Sequence, residues 1–166
     1  MTPWNLQTAL IAEIEKLLAD MQMENAAGEI VTGIKGYEQR LPEVTEDEED
    51  QSQFFPYFIV RIEEGNTPSD DEPWLVGTTV LFGIYDDSKE TNGHRAILAA
   101  MDKVMNRFLE RPLLDNKFRA NQNVSFALQD EDTYPYYFGG IDIKFYVPKI
   151  GRSDDWSCKL NIYSLP

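Results

Sequence analysis

Leu6, Leu10, Ile14, Leu17, Leu18 and Met21 recur at spacings of three and four, with Glu13, Glu15, Lys16 and Asp20 between them. That pattern predicts an amphipathic helix over residues 4–21, started by Thr2 as N-cap and Pro3 at the first helical position. Gly28, Gly33 and Gly36 then break the periodicity around a short candidate strand at 30–37. Glu43, Glu46, Asp47, Glu48, Glu49 and Asp50 crowd one stretch, which reads as a solvated loop because close like charges resist ordering. The aromatic and β-branched run at 57–62 predicts a strand, and 63–73 a second acidic, proline-containing loop. Between 75 and 85 apolar residues occupy both alternating sets, as in a central strand covered on both faces; its reach is roughly 35 Å.

Asp86-Asp87-Ser88 turns the chain into a second helix over 90–110, capped by Ser88, Thr91 or Asn92, with Ile97, Met101, Val104, Met105 and Phe108 inward and Pro112 beyond its end. Val124, Phe126 and Leu128 alternate with polar or small residues, as do Ile141, Ile143, Phe145 and Val147, and the short link at 129–138 makes these strands an antiparallel pair. The expected fold is α+β: a two-layer domain over 1–150, with an antiparallel β-sheet of about four to five strands and two helices packed on one face. Trp156, Leu160 and Ile162 follow without clear periodicity, so 151–166 is read as a C-terminal arm.

At 166 residues and 42% hydrophobic the chain can bury a core of its own. Its formal net charge of -14 repels rather than attracts phosphates, which argues against sequence-reading of DNA. One cysteine, Cys158, excludes an internal disulfide, and one histidine, His94, excludes the usual Cys/His zinc arrangements. No run approaches the roughly 20 apolar residues that span a bilayer, and the first residues lack a basic, signal-like start.

Chemistry is equally sparse. There is no Gly-rich phosphate loop, since Gly139-Gly140 precedes a strand rather than a helix, and no nucleophile motif accompanies His94. The carboxylate pairs Asp70/Asp71, Asp86/Asp87, Asp130/Glu131/Asp132 and Asp154/Asp155 sit where Asp favours turns, and their abundance weakens any reading as catalytic dyads. The chain is therefore expected not to be an enzyme and to carry no metal or cofactor. Tyr134-Pro-Tyr-Tyr-Phe138 is the most distinctive local feature. It reads either as a turn into a strand with some rings buried or as a contact surface, where aromatics are enriched.

Three segments together resemble the tail-terminator (tail-completion, minor tail) proteins of long-tailed bacteriophages and prophages. They are Phe55-Pro-Tyr-Phe-Ile-Val-Arg61, then Val80-Leu-Phe-Gly-Ile-Tyr-Asp-Asp87 running into the second helix, and Tyr134-Pro-Tyr-Tyr-Phe-Gly-Gly-Ile141 leading to Val147-Pro-Lys-Ile150. The resemblance implies a structural virion protein, assembled in the host cytoplasm as a hexameric ring on the head-proximal end of the tail tube. That ring ends tube polymerisation and offers the face that joins the head; its partners are further copies of itself, the tube protein and a head-completion or connector protein. DNA passes through without specific binding, and lumenal acids would repel it. On this reading Tyr134, Tyr136, Tyr137, Phe138, His94 and Arg95 are candidate subunit-interface residues. The candidate lumenal or loop acids are Glu46, Asp47, Glu48, Glu49, Asp50, Asp70, Asp71 and Glu72. The alternative from another class is an acidic DNA-mimic inhibitor of a nucleic-acid-binding protein, and a third reading is a small hydrolase built on one carboxylate pair.

Overall fold

A computed structural model describes residues 2–44, 51–90 and 92–150; the expected acidic run 46–50 and the expected arm 151–166 lie outside them. Helix α1 spans Pro3–Leu17. Its start is the expected one: Thr2 accepts from the Asn5 N–H, and the Asn5 side chain bonds back to the Thr2 N–H. It stops short of Met21 because Leu18 closes the last turn onto the Ile14 carbonyl and the chain bends into a strand. That strand, β1 (Gln22–Glu24), pairs antiparallel with β2 (Ile30–Thr32).

The single strand expected at 30–37 is two strands. Gly33, at φ 85, takes the left-handed conformation that separates β2 from β3 (Lys35–Glu38). Strands β4 (Tyr57–Asn66) and β5 (Trp74–Tyr85) form a hairpin. β4 therefore extends past the predicted end at Ile62 through an irregularity between Ile62 and Glu64. Helix α2 spans Gly93–Glu110; Asn92 stands at its N-cap, but its side chain bonds Glu90 rather than the helix. After it come β6 (Leu113–Leu114), β7 (Phe118–Leu128) and β8 (Tyr136–Val147). Both β7 and β8 begin well before the predicted strands.

The expected sheet of four to five antiparallel strands in a two-layer domain is corrected. The main sheet has six strands in the order β3-β4-β5-β8-β7-β6 and is mixed, because β3 runs parallel to β4, while β1 and β2 form a separate two-stranded sheet. The physical reason lies between Glu38 and Tyr57. A parallel pair needs a crossover, and the described ends of this one, residues 39–44 and 51–56, place side chains on the second face of the sheet. Leu41, Phe54 and Phe55 from this crossover pack against Tyr57, Ile59, Leu81, Tyr85, Tyr136 and Phe138. A partial third layer results, and only half of β5 is covered on both faces. The molecule is α+β nonetheless.

The main core lies on the other face. Leu6, Leu10 and Ile14 of α1 and Ile97, Met101, Val104 and Phe108 of α2 meet Phe58, Val60, Val76, Val80, Phe82, Ile84, Ile141, Ile143, Phe145 and Val147. Two polar ties brace it. Gln7, buried in α1, donates to the Val60 carbonyl and to Gln39 Oε1, each at 2.8 Å, which fixes the point where the crossover leaves β3. Arg107 of α2 pairs with Glu13 of α1 at 2.7 Å and donates to the carbonyls of Arg111 and Leu113.

Candidate functional site

The tyrosine run is a turn leading into a strand: Tyr134 and Pro135 lie in the turn, and Tyr136, Tyr137 and Phe138 open β8. Tyr136 N–H donates to the Thr133 carbonyl and Thr133 Oγ1 donates to the Tyr136 carbonyl, closing a tight loop that contains the cis Tyr134–Pro135 peptide. Strand alternation then sends successive rings to opposite faces. Tyr136 and Phe138 join the crossover layer, with ring centroids 4.8 Å and 5.7 Å from Phe55. Tyr137 faces the helices, and its ring occupies the space that a Cβ on Gly93 would take. Three of the four rings thus hold β8 to its neighbours. Tyr134 stays 50% exposed, and its hydroxyl donates to the Asp87 carbonyl at 2.6 Å.

His94, in the first turn of α2, lines a groove of about 210 Å³ with all four rings and with Leu128, Glu131 and Asp132. Five of the six candidate interface residues therefore converge; Arg95 is exposed beside them but does not line the groove. Burial, with added repulsion from Asp86, raises the Tyr137 pKa.

Tyr57, in the crossover layer, is 7% exposed, and burial pushes its phenol above the ordinary value, with Arg61 opposing. Its folded state holds the proton more tightly than the unfolded chain. The resulting stability is complete below about pH 10, the ordinary tyrosine value, and is lost as pH rises from there through the raised value. Denaturant titrations of the native chain between about pH 8 and pH 11 should show stability falling at the alkaline end, with a smaller fall in Tyr57→Phe.

The acids are arranged differently from the candidate set. β5 is about 36 Å long at ordinary strand rise, and Asp70, Asp71 and Glu72 are in the hairpin at its beginning, where Lys149 donates to Thr67 Oγ1 and the Ser69 carbonyl at 2.6 Å each. At its other end two further acidic turns meet: Asp86 and Asp87 lie against the loop carrying Asp130, Glu131 and Asp132, joined by the Asp86 N–H to Pro135 carbonyl bond at 2.9 Å. This convergence was not visible in the sequence, where the two turns are far apart. It places carboxylates around the N-terminal end of α2, where the helix dipole favours them.

The uncovered half of the second sheet face forms a polar groove of about 560 Å³ lined by Glu63, Glu64, Thr79, Asn123, Ser125, Asp142 and Lys144, among others. Thr79 Oγ1 donates to Asp142 Oδ1 at 2.7 Å. The polar alternation of Asp142 and Lys144 along β8 was the signal for this face. Among the described residues no group of three or more His, Cys, Asp or Glu is placed to hold a metal, and no helix is long and apolar enough to cross a membrane.

No protein-family model matches this chain, and no curated protein matches it. Exposed apolar side chains stand at both ends of α2: Tyr134 at its start, and Leu109 and Leu113, 54% and 49% exposed, at its finish. Beside the latter, Pro73, Leu109, Pro112, Arg119 and Tyr146 line a groove of about 580 Å³.

Proposed function

We propose that this chain is a structural virion subunit, a tail-terminator-like protein that forms a ring at the head-proximal end of a phage tail tube. In that position it ends tube polymerisation and presents the head-joining face. The observation that carries the reading is the pair of separated contact surfaces. A closed ring needs two different, complementary patches on each subunit. The Tyr134/His94 groove and the Leu109/Pro112/Tyr146 groove lie at opposite ends of α2. The three segments that resemble tail terminators cover the first half of β4, the second half of β5 and the first half of β8, part of the scaffold between those surfaces. Acids at both ends of the sheet suit a particle through which DNA moves without adhering.

The test is genetic and visual. A phage or prophage deleted for this gene is expected to make tails of abnormal length that fail to join heads, as seen by electron microscopy, with rescue by the native chain. Tails of normal length joined to heads in the deletion strain would refute the proposal.

A further inference from the structure

The two edges of the main sheet are built in opposite ways. An unpaired strand edge is a template for another chain, and proteins blunt it with brevity, charge or cover. β3 is blunted: it has four residues, Lys35 and Glu38 at its ends, and its Gly36 N–H donates to Glu15 of α1 at 3.0 Å. β7 is open over residues 124–128. β6 pairs with Phe118 and Arg119, the Ala120 N–H donates to the Pro112 carbonyl at 2.8 Å, and the register slips between Ala120 and Val124; beyond that irregularity no described strand lies along its outer side.

The direction of its backbone groups follows from one bond. Gln129 N–H donates to the Phe138 carbonyl at 3.0 Å. By antiparallel alternation the N–H and C=O groups of Ala127 and Ser125 also face β8, while those of Leu128, Phe126 and Val124 face outward. From Ala120 to Gln129 the strand carries no charge in a chain of net charge -14, and Phe126 on its helix side is 56% exposed. The neutral run is bounded by Arg119 at one end and by Asp130 and Glu131 at the other. Two copies of this strand laid antiparallel bring Arg119 of each toward the acids of the other. So acidic a chain would meet its own copy with like charges on most faces, but not on this one.

We infer that β7 pairs antiparallel with β7 of a second copy, continuing the sheet across a two-fold axis. This contact borders both ring patches, sharing Arg119 with one and Leu128 and Glu131 with the other, but it joins like edges two by two, whereas a ring joins unlike patches.

Sedimentation of the full chain over a concentration series tests it. The native chain is expected to form dimers. Phe126→Pro removes an outward N–H and puts ring carbons in its place, and Ala127→Lys adds a charge at an exposed position while keeping every backbone bond. Each should raise the dimer dissociation constant at least about tenfold, with an unchanged circular dichroism spectrum. Arg119→Glu and Asp130→Arg should each weaken the dimer several-fold, and the double exchange should restore it. Those two residues lie about 35 Å apart along one strand, so restoration reports contact between copies. A native chain that stays monomeric, or Phe126→Pro and Ala127→Lys chains that both dimerise like the native one, would overturn the inference. A β7-dependent dimer whose gene is dispensable for tail length would leave the inference standing and remove the ring reading.

Discussion

Phe58→Ala is expected to lower the free energy of unfolding by about 4 kcal/mol, measured by equilibrium denaturation in urea. Phe58 is fully buried on β4, with its ring centroid 6.1 Å from that of Phe82. The tip of its ring fills the space above Gly36, where an added Cβ would also meet Ile11 of α1. The ring therefore reaches from the sheet to both β3 and the first helix. Truncation removes apolar burial and leaves a cavity between the Gly36 backbone and Ile11. A loss under about 1 kcal/mol would mean that α1 and β3 collapse into the gap, contrary to the packing described.

Arg107→Ala is expected to cost about 3 kcal/mol by the same measurement, toward the lower end for a broken buried pair because Glu13 retains some solvent. The Arg107 and Glu13 side chains are 9% and 22% exposed. Losing the guanidinium removes Glu13's ion pair and the bonds to the Arg111 and Leu113 carbonyls at the turn into β6. Glu13→Gln should cost less than Arg107→Ala, since an amide oxygen still accepts from Arg107. Equal losses in the two variants would argue that the carbonyl bonds contribute little.

Both helices were legible because their buried residues repeat with the helical period, Leu6, Leu10 and Ile14 in one and Ile97, Met101, Val104 and Phe108 in the other. β5 announced itself by length and by apolar residues on both sides. The crossover did not, because its anchors Leu41, Phe54 and Phe55 are isolated apolar residues around an acidic stretch, and their value appears only once they lie on the sheet. Without it the parallel pairing of β3 with β4 had no signal. The first half of β7, with Asn121, Gln122 and Asn123, has no apolar alternation to read, since its register slips between Ala120 and Val124. The opening of β8 was masked by a proline beside three tyrosines, a composition that equally suits a turn. As for the candidate site, the rings near His94 were named from composition, but their division into three packed and one exposed depends on strand alternation and on Gly93. The meeting of Asp86 and Asp87 with Asp130 to Asp132 depends on the β5–β8 pairing, which no local pattern encodes.

That pairing also has a consequence for synthesis. β5 meets β4 through a local hairpin soon after both leave the ribosome, but its other edge must wait for β8, which begins only at Tyr136. Until α2, β6 and β7 have been made, the nascent chain presents Val76, Val80, Phe82 and Ile84 on a strand with one side open. Non-local strand pairing of this kind is slow and exposes a sticky edge meanwhile. The half-translated chain is therefore a stage at which this edge is open to other chains and to chaperones.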